Sequence, residues 1–204
     1  MSEQKSNSMI DITDDPNLWE RIFMVHSLLV IGSREKNGDY NMAPKHMAMP
    51  LGMGPYIGFM GTPRKTTYQN IKREKVFTVS YPQSDQLVFS SITASSRDEE
   101  DEKPAILTVP KVDAQKIDGK FIKGSYLQFE CTLHEIMGKF GEWEMIVGKI
   151  VAAYVHEDAI RKEGIEADDA SLISNNPLLA YLHPGRFSII KKSNTFPLPK
   201  DFKI

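Results

Sequence analysis

The chain has 204 residues, 41% hydrophobic and 25% charged, the proportions of one globular domain rather than of a disordered or fibrous chain. Twenty-five Lys and Arg against 27 Asp and Glu leave a formal charge of −2, which excludes a general nucleic-acid binder, whose phosphate contacts need a basic excess. No apolar run approaches the roughly 20 residues of a bilayer crossing, the polar start lacks a secretory pattern, and Cys131 is the one cysteine, so a reduced, cytoplasmic setting away from membranes is expected.

Residues 1–14 read as a flexible arm and 15–204 as a single domain. Asp14-Asp15-Pro16 opens a short helix through Leu18, Trp19 and Ile22, with Asp as cap and Pro in the first turn. Phe23–Gly32 is one long β-rich run that stops at Lys36-Asn37-Gly38-Asp39, where the Asn-Gly pair supplies the positive φ angles of a tight hairpin turn. A returning strand over Tyr40–Ala43 is cut by Pro44. A loop rich in Met, Gly and Pro leads to Pro55, and Tyr56–Gly61 resumes as a strand. Thr62–Glu74 is a helix start and short helix, with Thr66 and Gln69 as a capping box or Thr62 as a cap one turn earlier. Val76–Tyr81 is a strand, 85–92 reads as helix or strand with helix preferred, and the charge run Arg97–Lys103 as a solvated loop.

Further on, Leu127, Phe129, Cys131 and Leu133 alternate with Gln128, Glu130, Thr132 and His134, the mark of a half-buried strand. Gly138–Gly141 turns the chain into Met145–Val155, apolar on both faces, which predicts a barrel wall covered by a second copy of the chain. Helical signals occupy 157–174, and Arg186–Ile190 gives a last strand. Hairpin-linked strands without regular strand–helix alternation predict a mainly β, antiparallel barrel with peripheral helices.

Several chemical signals dissolve on inspection. Gly52-Met53-Gly54-Pro55-Tyr56-Ile57-Gly58 misses the dinucleotide fingerprint by one residue and precedes a strand, not the helix that mechanism needs. The five histidines, His26, His46, His134, His156 and His183, never take metal-ligand spacing, so no metal is expected. Cys131 falls in the inward register, where a thiol is a small hydrophobe, and there is no nucleophile elbow. Five of the ten methionines, Met42, Met47, Met49, Met53 and Met60, lie within 42–60, as core filling or as a soft wall for a flat ring. Thr62–Asn70 is richer: Arg64, Lys65, Thr66 and Thr67 surround an opening helix whose free N–H groups and dipole favour an anion such as phosphate, although taken alone the segment also reads as an ordinary capped surface helix with exposed basic residues.

The order of blocks across roughly residues 20–192 resembles the flavin reductase-like family of FMN-binding split barrels. The blocks are Gly38–Pro44, Arg64–Ile71 followed by Phe77, Glu130–Leu133, Gly141–Ile150 and Pro177–Tyr181. The resemblance implies FMN bound near a homodimer interface, with Asn41, Met42, Ala43, Pro44, Lys45, His46 and Met47 along the ring. It implies Lys65, Thr67 and Asn70 at the phosphate and ribityl chain, with Arg64 and Thr66 beside them. Many relatives carry a histidine at the nicotinamide contact where this chain has Trp143, whose indole can stack on a planar substrate; the residue after Gly148 is usually acidic in relatives and is Lys149 here. The implied activity is an FMN-dependent oxidoreductase passing electrons from NAD(P)H to a flavin, a ferric complex or another small acceptor. The alternatives are an FMN electron carrier that does not use free NAD(P)H, a flavin-less ligand-binding or scaffold barrel, and oxidation of a phosphorylated pyridoxine-like substrate. No acid or base on the protein is obligatory for the hydride step, so no catalytic residue is named.

Overall fold

A computed structural model describes residues 9–161, 169–194, Pro197 and Pro199. Most of the expected arm, residues 1–8, and part of the expected helical stretch, 162–168, lie outside the described residues. Helix α1 (Pro16–Trp19) starts as predicted: Asp15 accepts a hydrogen bond from the Asn17 amide, and Pro16 sits in the first turn. It is a single turn, and Ile22 falls beyond it.

The apolar run from Phe23 onward is two strands, not one. β1 (Met24–Ser27) and β2 (Leu29–Arg34) part at Leu28 and join different sheets. Continuous apolarity hides such a break, because both halves are strands with buried faces. In the following hairpin the Glu35 amide donates to the Asp39 carbonyl (2.7 Å), closing a three-residue loop. Only Gly38 has positive φ there, at +95°. Asn37 contributes its side chain instead, accepting from the Asp39 amide and donating to the Asp39 carboxylate.

β3 (Tyr40–Lys45) runs through Pro44 rather than ending before it. It is the edge of its sheet, where a residue without an N–H is tolerated. The predicted Met-rich loop contains β4 (Ala48–Pro50), and β5 (Tyr56–Gly61) follows. Then come α2 (Thr66–Glu74), β6 (Val76–Tyr81), α3 (Leu87–Ile92), β7 (Lys111–Asp113) and β8 (Lys120–Ile122). The long hairpin β9 (Leu127–Phe140) and β10 (Trp143–Val155) turns at Gly141-Glu142, so the strand continues past Gly138. Gly138, at φ +69°, marks a bulge where the pairing shifts from Trp143–Phe140 to Met145–Met137. The chain closes with α4 (Asp169–Asn175), β11 (Leu178–His183) and β12 (Arg186–Ile190); β11 has no counterpart among the predicted strands.

Among the described residues, seven antiparallel strands in the order β3-β2-β6-β9-β10-β5-β4 curl into a half-barrel. A second sheet, β1-β11-β12, stands beside it. The mainly β split-barrel architecture expected from the sequence is the observed one. Leu29, Ile31, Phe59, Ile71, Phe77, Cys131 and Ile146 form the main core. A second cluster of Val30, Met42, Ile106, Val109 and Ile122 lies outside the sheet under the segment between β6 and β9.

That segment corrects two expectations. The charge run is not simply solvated: Arg97 pairs with Glu35, and the Lys103 ammonium donates to the carbonyls of Thr93 (2.5 Å) and Met42 (3.1 Å). Burial, then the nearby Arg97, pushes Lys103 down to about 8. Glu130, on the register expected to face water, is fully buried. Its carboxylate accepts from the backbone amides of Gln115 (2.8 Å), Lys116 (2.7 Å) and Ile117 (2.9 Å).

Close approach in this layer rests on Gly32. A Cβ there would lie 2.5 Å from the Lys120 carbonyl oxygen and against Thr78 Oγ1, two atoms that are hydrogen-bonded to each other. Backbone cannot yield as a flexible side chain does, so Gly32→Ala should cost about 2 kcal/mol. Urea unfolding should show this as a lower midpoint with an unchanged slope; an unmoved midpoint would mean the layer is loose.

Candidate functional site

The start of α2 is built differently from the sequence expectation. Neither Thr62 nor Thr66 caps it. Lys65 occupies the cap position in extended conformation, and no side chain among the described residues satisfies the first-turn amides. Gln69, the expected box partner, donates to the Pro63 carbonyl (2.5 Å) instead. Four N–H groups of a helix start have no intrahelical acceptor, so this corner presents donors and the positive end of the helix dipole.

Edge strand β3 passes beside that corner. Alternation places Asn41, Ala43 and Lys45 on one face and Met42 and Pro44 on the other. Asn41 Nδ2 donates to Thr67 Oγ1 (3.0 Å), both residues buried. The Thr67 hydroxyl therefore still has its proton to donate. Asn70 is more committed: its amide donates to Ser33 Oγ (3.2 Å), and its carbonyl accepts from Arg73 (3.1 Å). These polar side chains stitch α2 onto β2 and β3 where an apolar contact would be usual.

The cations divide into paired and unpaired. Arg64 is exposed and bound to Glu142 (2.7 Å) at the tip of the β9–β10 hairpin. Glu144 on the same hairpin accepts from the Tyr68 hydroxyl (2.5 Å), which holds Tyr68 up at about 12. Lys45 and Lys65 have no carboxylate partner among the described residues. Burial first, then the charge of Lys65, pushes Lys45 below the ordinary lysine value. Two ammonium groups that repel across an uncapped helix start are the electrostatic complement of a dianion.

Asn41, Arg64, Thr66 and Asn70 line a cleft of about 650 Å³ between the β2–β3 hairpin, α2 and the 97–111 segment. That volume suits a cofactor-sized ligand. Lys45, Lys65 and Thr67 do not line that cleft, and neither does Met42, whose side chain is buried in the second cluster. Met47 is part-exposed beyond β3. Trp143 is partly buried at the first position of β10, beside Glu142 and Glu144.

His46 was expected along a ring and has a setting that the sequence did not announce. Its ring lies 4.6 Å from Tyr181, 5.3 Å from His26 and 5.5 Å from His183, centroid to centroid. β1 and β11 pair to bring the last three together, so no local spacing could show it. Burial, then the two imidazoles and Lys45, pushes His46 down to about 4. The rings do not converge as ligands: no group of three His, Cys, Asp or Glu among the described residues could hold a metal ion. Cys131 is buried, and burial holds its thiol far above the reactive range. No helix among the described residues is long and apolar enough to cross a membrane.

Comparison with known proteins bears on this arrangement. The family profile described as flavin reductase like domain matches residues 22–187. A search of curated sequences gives no significant match. Among solved structures, nitrilotriacetate monooxygenase component B from Bacillus cereus is 17% identical, with 95% of this chain and 100% of that chain covered at a TM-score of 0.76. A flavin reductase with a split barrel domain from Shewanella frigidimarina is 21% identical over 86% and 87% of the two chains, at 0.72. The NADH:FAD oxidoreductase of Streptomyces globisporus is 14% identical over 89% and 96%, at 0.67. At these identities the likeness is one of fold.

Proposed function

The chain belongs to the flavin reductase like domain family, and from that premise we propose that it is an FMN-dependent oxidoreductase taking electrons from NAD(P)H for a small acceptor. The observation that carries the FMN reading is the pair Lys45 and Lys65, without carboxylate partners, at the uncapped start of α2. A single terminal phosphate fits that donor set. Lys65, the Thr67 hydroxyl and the first-turn amides would hold it, with Asn70 and Thr66 at its flank. Asn41, Ala43 and Lys45 present the face of β3 toward the same side, followed by His46 and Met47. Pro44 and Met42 stiffen that strand from behind, with Met42 anchored in the second cluster. His46, held neutral at working pH, can exchange a hydrogen bond without adding charge. Trp143 supplies a planar apolar surface at the start of β10 for a second ring system. When bound, FMN supplies the hydride and electron chemistry, and the protein supplies position and electrostatics.

The homodimer belongs to the same proposal. Met137, Phe140 and Val155 leave large apolar side chains exposed along the β9–β10 hairpin, which a second copy would cover. Sedimentation of the flavin-loaded protein at monomer mass would remove that part of the reading.

The deciding experiment is anaerobic. Protein loaded with FMN should lose its absorption band near ~450 nm on addition of NADH or NADPH. Chromatography of the flavin released on denaturation should give FMN rather than FAD. A band bleached by neither nucleotide but by a protein donor would make the chain an electron carrier.

A further inference from the structure

A second cavity, about 310 Å³, lies between the β1-β11-β12 sheet and the end of the half-barrel, away from the α2 corner. Its walls include Leu28, Leu179 and Ile190 together with His26, Tyr81 and Tyr126, and no Lys, Arg, Asp or Glu among the described residues lines it. Leu28 is the residue at which β1 and β2 part, so the break between the two sheets is what opens the space.

Tyr81 and Tyr126 meet edge to face at 6.2 Å, and neither hydroxyl has a hydrogen-bond partner among the described residues. Both rings are partly exposed and neither hydroxyl is a buried unsatisfied atom, so water reaches the two phenols when the cavity is empty. Both phenols stay protonated, since burial raises each above the ordinary tyrosine value, Tyr81 to about 12. An apolar cavity with two O–H donors and no Lys, Arg, Asp or Glu among the described residues disfavours anions and cations alike, because either would lose hydration without a counter-charge. It suits an uncharged molecule with acceptor oxygens, and its volume, at the lower end for ligand pockets, limits that molecule to one or two rings.

We propose that this cavity binds a small neutral ring compound bearing carbonyl oxygens, of the benzoquinone or naphthoquinone class, with Tyr81 and Tyr126 as hydrogen-bond donors. The site does not rest on the flavin reading and involves no covalent step; the lone thiol, Cys131, is buried and kept protonated, so it does not compete as a nucleophile. His26 in the cavity wall is also the ring neighbour of His46.

Calorimetric titration of the full chain tests it with three probes of one size. 1,4-Naphthoquinone should bind reversibly. Naphthalene, which lacks the oxygens, and the anionic 1,4-naphthoquinone-2-sulfonate should each bind at least about fivefold more weakly, the worth of one hydrogen bond. Tyr81→Phe and Tyr126→Phe should each weaken the quinone by about the same factor and leave naphthalene unchanged. Both variants keep the ring and break no internal hydrogen bond, so unaltered melting is expected alongside. Failure of wild type to bind the quinone, equal binding of all three probes, or Phe variants that bind the quinone as wild type does would each overturn the proposal. Those outcomes leave FMN binding at α2 untouched.

Discussion

Replacing Glu130 with Gln should lower the stability of the folded chain by about 3 kcal/mol, and the melting temperature by roughly 6–12 °C for a chain of this length. The carboxylate is buried in the wall between β6 and β10 and accepts from three consecutive backbone amides, Gln115 to Ile117. An amide side chain has one accepting oxygen where the carboxylate has two, so one side of the amide row would face an N–H₂ group. Burial by itself would raise the Glu130 pKa. The amides of Gln115 and Lys116, then the Tyr154 hydroxyl and the Ile117 amide, outweigh it and hold the group below the ordinary glutamate value. A carboxyl whose folded pKa is depressed stabilises fully above its unfolded value, near 4.5, and loses that contribution as pH falls through the folded value. His46 has the opposite charge type but the same consequence: the folded imidazole resists protonation down to about 4, so acid begins to favour the unfolded chain already near 6.5. Wild-type stability should therefore decline in two limbs, and Glu130→Gln should abolish the lower one alone. Hydrogen exchange should also quicken at Gln115, Lys116 and Ile117. Unchanged exchange at those amides would show that the carboxylate is not their anchor.

That glutamate also marks the limit of reading the chain by pattern. Strict alternation over 127–134 gives the strand and its inward residues, because Leu, Phe and Cys sort to one face. Alternation assigns the other face to water, and here the 84–122 segment covers it. Nothing local in Gln128, Glu130 and Thr132 reveals that cover. Helix α1, the Gly38 turn, β5, α2, β6 and the β9–β10 hairpin were legible for the same reason: their signals lie within one element. The division of Phe23–Gly32 at Leu28, and strand β11, were not, since both depend on pairing between residues some 150 apart. At the candidate site, sequence showed the composition of the α2 corner but misread its cap. It could not show that Glu142 would neutralise Arg64 while Lys45 and Lys65 stayed without a counter-charge among the described residues, a matter of which hairpin tip lands on which helix.

This division of charge makes a second strong expectation. Lys65→Ala should weaken FMN roughly 10- to 100-fold, the range of a hydrogen bond to a charged group at about 1.5–3 kcal/mol. Arg64→Ala should cost less than about fivefold, because its guanidinium is exposed and already bonded to Glu142, and exposed pairs are worth little. Lys36 lines the cleft, so it is a poor reference. Lys72 is a better one: it is exposed on the same helix, in the last turn, where the dipole favours a cation and not a phosphate. Lys72→Ala should leave the affinity unchanged. Salt supplies an independent check. Raising ionic strength should weaken wild type more than Lys65→Ala, since the variant has lost one of the screened attractions. Binding should also loosen at alkaline pH sooner than ordinary lysines would predict, because burial and then the charge of Lys65 hold Lys45 below the ordinary lysine value. In Lys65→Ala the neighbouring repulsion is gone, so that alkaline loss should move upward in pH. A uniform fall in affinity across Arg64, Lys65 and Lys72 variants would mean that FMN senses only overall charge, and the α2 corner would then have no claim to the phosphate.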